Sequence, residues 1–171
     1  AEKSHKIWQK RHKLWTEFSK DFNETWNVIF PEKDAKIKYI NFSDMNISEI
    51  KEKLEKIKDQ ELLSGRLKFG PQKDEFVFYY NTTPLKDFGS QGEKKFFHYV
   101  LKLVEGDYIK KKSGKTPVLL LDDLFAKIDS NRIEKMLGTM LEKFQMFITS
   151  TDMHKDGVKS WITDETKLIN L

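Results

Sequence analysis

Val118-Leu119-Leu120-Leu121-Asp122-Asp123 decides how this sequence folds. Four apolar residues run without a break into two carboxylates. A short continuous apolar run of this kind is the pattern of a strand buried on both faces of a sheet. A strand that ends in acids delivers them to the C-terminal edge of that sheet, where α/β proteins bind ligands. The stretch has the form of a Walker B element. The first acid would hold the shell of a Mg²⁺ ion, and the second would stand near an attacking water. Taken alone, a strand followed by an acidic turn accounts for the same six residues. The order of the surrounding motifs separates the two readings.

Downstream, the periodicity predicts a helix over 131–144 and a second buried strand over 146–149, which ends in Thr149-Ser150-Thr151-Asp152. Residues 160–171 read as a terminal hairpin. Upstream lies a helix over 91–112, whose face of Phe97, Val100, Leu101, Val104 and Tyr108 calls for burial. Phe88-Gly89-Ser90-Gln91-Gly92-Glu93 leads into it. Ser90 suits an N-cap, and the small residues at 89 and 92 let backbone N–H groups face an anion. Taken alone, that stretch reads first as an ordinary capping sequence, with the anion site as the alternative.

Residues 1–30 read as one amphipathic helix ended by Pro31. Trp8, Trp15, Phe18, Phe22, Trp26 and Ile29 form its apolar stripe, and Lys3, Lys6, Lys10, Lys13 and Lys20 fall nearly opposite. The stripe is expected to bury against the rest of a helical arm, with a partner helix or stacked bases as the functional alternatives. The lysines read as a solvated face, with DNA phosphates as the functional alternative. A strand over 36–42, a turn at 43–46 and a helix over 47–63 follow, stopped by Ser64-Gly65. Residues 75–80 form an aromatic strand and 81–84 a turn. From Gly65 onward strands alternate with helices, which argues for α/β layering.

The chain has 171 residues, a net charge of +4 and no cysteine. Its size permits a substantial core. The mild basicity permits nucleic-acid contact without arguing for it. The absence of cysteine excludes disulfides, thiolate zinc sites and thiol catalysis, and fits an intracellular protein. No apolar run reaches membrane-spanning length, so a soluble protein is expected. With Ala1 rather than Met at its start, the sequence reads as a piece of a longer protein.

The motif order resembles the C-terminal part of an ABC-type ATPase head, and more closely the RecF family, a DNA-repair relative of the ABC and SMC ATPases. Members carry GPHRDD, SQGQ, LLLDDVxSELD and ITTTD in this order. Here stand Gly70-Pro71-Gln72-Lys73-Asp74-Glu75, then Ser90-Gln91-Gly92-Glu93, then residues 119–129 ending in Asp129, then Ile148-Thr149-Ser150-Thr151-Asp152. The resemblance covers roughly residues 66–171. Gln72 and Lys73 replace His and Arg, and Ala126 and Ile128 replace Ser and Leu, so the chain is a divergent member.

The resemblance implies that Ser90, Gln91 and Gly92 form the signature loop, which meets the γ-phosphate of ATP held by the opposite subunit. Asp122 is then the Walker B acid, reaching Mg²⁺ through water, and Asp123 the catalytic acid. Asp129 is the D-loop acid at the dimer interface, and Thr151 stands at the switch position. It implies ATP and Mg²⁺ as cofactors of the complete head and an ATP-dependent homodimer. Gapped or junction DNA, RecR and RecO are the implied partners, with recombinase loading in post-replicative repair as the role. The implied location is the bacterial cytoplasm, at the nucleoid.

The phosphate-wrapping GxxxxGK[ST] motif is missing. Gly114-Lys115-Thr116 fails as a substitute, because Ile109 stands where Gly is required and Pro117 and a strand follow where a helix must open. The expected division is residues 1–64 as part of an arm-like insertion and 65–171 as the C-terminal part of the head. The chain alone is expected to be inactive towards ATP. Two alternatives stand beside this reading: a non-catalytic interaction module that kept the fold, and another SMC-like or defence ATPase. His5 and His12 read as exposed and inert and His98 as structural, while for His154, three residues beyond Thr151, approach to the nucleotide is only the lesser alternative.

Overall fold

The computed structural model describes residues 1–122, 130–150, 166, 167 and 169. Its first element, α1 (Glu2–Ile29), is followed by β1 (Ala35–Ile40) and α2 (Ile47–Ser64). Then come a short 3₁₀ turn (Pro71–Lys73), β2 (Glu75–Tyr80), β3 (Thr83–Pro84) and the single-turn α3 (Leu85–Phe88). The remainder is α4 (Gln91–Ser113), β4 (Leu119–Leu121), α5 (Ser130–Leu141) and β5 (Met146–Ile148). The expected hairpin over 160–171 and His154 lie outside the described residues.

Two sheets form. β1, β2 and β3 make an antiparallel sheet in that order, with Ala35 opposite Tyr80 and Ile40 opposite Glu75. β4 and β5 pair in parallel, as a crossover through α5 requires. Local chemistry sets the helix ends. Asn46 and Glu49 form a reciprocal capping box at the start of α2, and Gly65 closes that helix at φ 62 in the left-handed region.

The core forms where the apolar faces of α1, α4 and α5 meet. Phe97 of α4 lies 5.0 Å from Phe22, 5.5 Å from Trp26 and 5.2 Å from Phe78, ring centre to ring centre. Met136, Leu137 and Met140 of α5 complete this cluster. A second, smaller cluster joins Trp8, Ile50 and Phe69, flanked by Phe42 and Leu54. The aromatic stripe of α1 is therefore shared. Its N-terminal end packs against α2 and its neighbours, while its C-terminal half packs on α4 rather than on an arm. The cause is the ring set of Phe96 and Phe97, which offers α1 a larger apolar surface than α2 does. Residues on both sides of position 64 thus share one sheet and one core.

Asp74 clasps these parts together. Its carboxylate accepts hydrogen bonds from Trp8 Nε1 at 2.7 Å, Arg11 at 2.7 Å and the Tyr39 hydroxyl at 2.6 Å. Burial, reinforced by the bond to Asp74, pushes the Tyr39 hydroxyl up to about 12. An unperturbed tyrosine titrates near about 10. Since the folded value is the higher one, this contribution to stability is complete below about pH 10 and is lost as pH rises towards about 12. A phenolate absorbance step near pH 12, present in the wild type and gone in Tyr39→Phe, is the expected titration result. A step at the ordinary value would show that the hydroxyl does not serve Asp74.

Candidate nucleotide site

β4 is held in place from both ends. The Leu119 N–H donates to Gln145 O at 2.9 Å, and the Thr149 N–H donates to Leu121 O at 3.0 Å. Leu119 and Leu121 are buried, but Leu120 is 77% exposed, and Phe147 beside it on β5 is 55% exposed. The expectation of a strand buried on both faces is corrected here. Among the described residues this pair of three-residue strands is covered on one face, so Leu120 on the other stands bare.

Asp122 emerges at the C-terminal edge of β4, where the sequence pattern puts it. Its side chain accepts a hydrogen bond from the Thr149 hydroxyl, at the matching end of β5. Its carbonyl accepts from the Tyr99 hydroxyl of α4 at 3.3 Å. Backbone and side chain are thus both held, and the carboxylate faces solvent. Tyr99 was legible as a core residue, since Phe96, Tyr99, Val100 and Leu103 stand at helical spacing and are all buried, but nothing local marks its hydroxyl as a partner of Asp122. Asp123, Asp129 and Thr151 lie outside the described residues.

Ser90 caps α4 as its sequence context suggests. Its hydroxyl accepts from the Glu93 N–H at 3.2 Å, and the Glu93 carboxylate accepts from the Ser90 N–H at 2.8 Å. The helix end is therefore partly self-satisfied, with Gln91 and Gly92 in its first turn. Gly89 is required by close approach, since a Cβ there would come within 2.6 Å of Leu85 O. Ser90 lies nine residues before Tyr99, about 13 Å along the axis of α4.

Gly114 closes α4 in the left-handed conformation at φ 71, and its N–H donates to Lys110 O at 2.9 Å. A phosphate loop opens a helix, whereas this glycine ends one, so Gly114-Lys115-Thr116 is a helix stop. His98 is exposed rather than structural. His5 Nδ1 lies 3.1 Å from Met45 O, and His12 Nδ1 3.4 Å from Ser43 Oγ. Among the described residues, no group of three or more His, Cys, Asp or Glu side chains could hold a metal. Asp122 with Thr149 is an oxygen donor set, which fits Mg²⁺ that keeps its waters and takes most ligands from phosphates. Among the described residues, no helix is long and apolar enough to cross a membrane.

No family model matches the chain. The DNA replication and repair protein RecF of Azobacteroides pseudotrichonymphae is 32% identical over 165 residues, covering 95% of this chain and 45% of that protein. RecF of Listeria monocytogenes serotype 4b is 38% identical over 104 residues, or 61% of this chain and 28% of that protein. The chain belongs to the RecF family. It matches the C-terminal part of those proteins and spans less than half the length of the curated RecF relatives it resembles. Its fold superposes on RecF in the solved structure of the recombination mediator protein RecF with ATP in the RecFOR pathway. The TM-score is 0.71 at 24% identity, covering 91% of this chain and 43% of that one. The same protein with ATPrS gives a TM-score of 0.70. The α/β reading of the sequence agrees with this RecF head fold.

Proposed function

We propose that this chain supplies the signature and Walker B half of a RecF-type ATPase head that acts on DNA in replication and repair. The observation that carries the reading is Asp122, pinned at the C-terminal edge of β4 by Tyr99 and Thr149. Asp122 would hold the water shell of a Mg²⁺ ion, and Asp123 would orient the attacking water. The ion supplies charge neutralisation at the β- and γ-phosphates when bound. Ser90, Gln91 and Gly92 serve the nucleotide of a second head, and Ser90 at the N-terminus of α4 supports that reading. Asp129 and Thr151 stand at the dimer interface and the switch position. A P-loop lobe covers the bare face of β4 and β5, and residues 1–64 are the returning part of an arm-like insertion whose end shares a sheet and a core with the head segment. In the whole protein, ATP closes two heads into a dimer in the bacterial cytoplasm. That dimer works with RecO and RecR at gapped or junction DNA, where it promotes recombinase loading.

The test combines this chain with the N-terminal lobe of a RecF relative and Mg-ATP. Turnover is expected only in the mixture. Ser90→Arg is expected to leave lobe association intact and to block ATP-dependent dimerisation, read by light scattering. Normal dimerisation of Ser90→Arg would remove the signature assignment. Association of the lobes without turnover would favour a non-catalytic module.

A further inference from the structure

Lys3, Lys6, Lys10 and Lys13 project from one face of α1, opposite the buried Trp8. All four are exposed. Glu2 is the only acid among the first 16 residues. The charge is locally unfavourable. Like charges three and four residues apart repel along a helix, and cations in the first turns oppose the helix dipole. Elsewhere among the described residues some lysines are paired, while others such as Lys38, Lys51 and Lys73 stand alone without forming a run along one face. Lys56 pairs with Glu52 at 2.6 Å, Lys102 with Glu105 at 2.7 Å and Lys143 with Asp107 at 2.8 Å. The acids of the second half of α1 are engaged as well, Asp21 by Lys111 at 2.7 Å and Glu17 by Lys112 at 3.1 Å. Among the described residues, none of the four α1 lysines has an ion pair. What sets these four apart is their alignment on one face of a segment nearly free of acids, a surface complementary to an extended polyanion.

We propose that this face of α1 tracks a nucleic-acid backbone, one lysine per phosphate, with no base preference. The four lysines span about 15 Å of helix. At about 3.4 Å of axis per phosphate on one strand, that length matches about four phosphates. Burial of Trp8 fixes the rotation of α1, so the lysines face outward together. The choice of nucleic acid over other polyanions rests on the RecF-type reading.

The test is fluorescence anisotropy of the full chain with a labelled 30-bp duplex between 50 and 200 mM NaCl. Changing all four lysines to Gln is expected to flatten the slope of log K against log salt by about 3.6, at about 0.9 per phosphate contact. Over that salt range, those contacts account for a loss of about 150-fold in the wild type. Lys51/Lys56/Lys58→Gln on α2 is expected to leave the slope unchanged. Single Lys6→Gln and Lys10→Gln variants, each lowering it by about 0.9, cover a quadruple variant that misfolds. An unchanged slope, no duplex binding at 50 mM, or equal binding to polyglutamate would overturn the proposal. Ser90→Arg should keep the full slope, so loss of the ATPase reading and loss of this surface give different results.

Discussion

Asp122→Ala is expected to lower ATP turnover of the assembled head by at least about 100-fold, while leaving this chain folded. Removing one preorganised charged group from a phosphoryl-transfer site costs on the order of 100- to 1000-fold. The structural cost is small, because the carboxylate is exposed and its side-chain contact is the Thr149 hydroxyl at the surface. The β4 backbone keeps its ladder bonds to Gln145 and Thr149. Steady-state turnover and urea midpoints on the same preparations separate the two effects. Unchanged turnover would remove Asp122 from the ion site. A large fall in the urea midpoint would make it a structural residue.

Asp74→Ala should do the reverse and destabilise the chain by about 3 kcal/mol. The Asp74 side chain is only 3% exposed and receives three donors from α1 and β1. Its loss strands the Trp8 N–H and the Tyr39 hydroxyl in partly buried positions. Arg11 is 48% exposed and regains water, which keeps the cost below that of a fully buried pair. Asp74→Asn retains an acceptor and is expected to cost about half as much. The midpoint of urea unfolding, at constant slope, measures both. A change below about 0.5 kcal/mol, the range of an ordinary surface substitution, would show that the clasp contributes little.

The contrast between these two acids explains what the sequence disclosed. Asp122 was legible because everything that places it is local: an apolar run, an acid and a position at a strand end. Ser90 was legible for the same reason, as a cap three residues before Glu93. Asp74 was visible only as one letter of a family motif. Its partners are 66, 63 and 35 residues away, and no local period records them. The pairing of β1 with β2 escaped for a related cause, because α2 separates the two strands and each reads as an isolated element. The exposure of Leu120 was misread, since an apolar run reports the environment a strand was selected for and not which neighbours are present.

The double anchorage of α1 has a mechanical consequence. Trp8 is seated in the small cluster and Trp26 in the large one, 18 residues apart on an uninterrupted helix. That separation is about 27 Å. With the Trp26 end as a pivot, a tilt of about 5° carries Trp8 through about 2 Å, close to half of one helical pitch. Displacements too small to disturb the large cluster are thus magnified at the far end of the lever, where Lys3 to Lys13 stand.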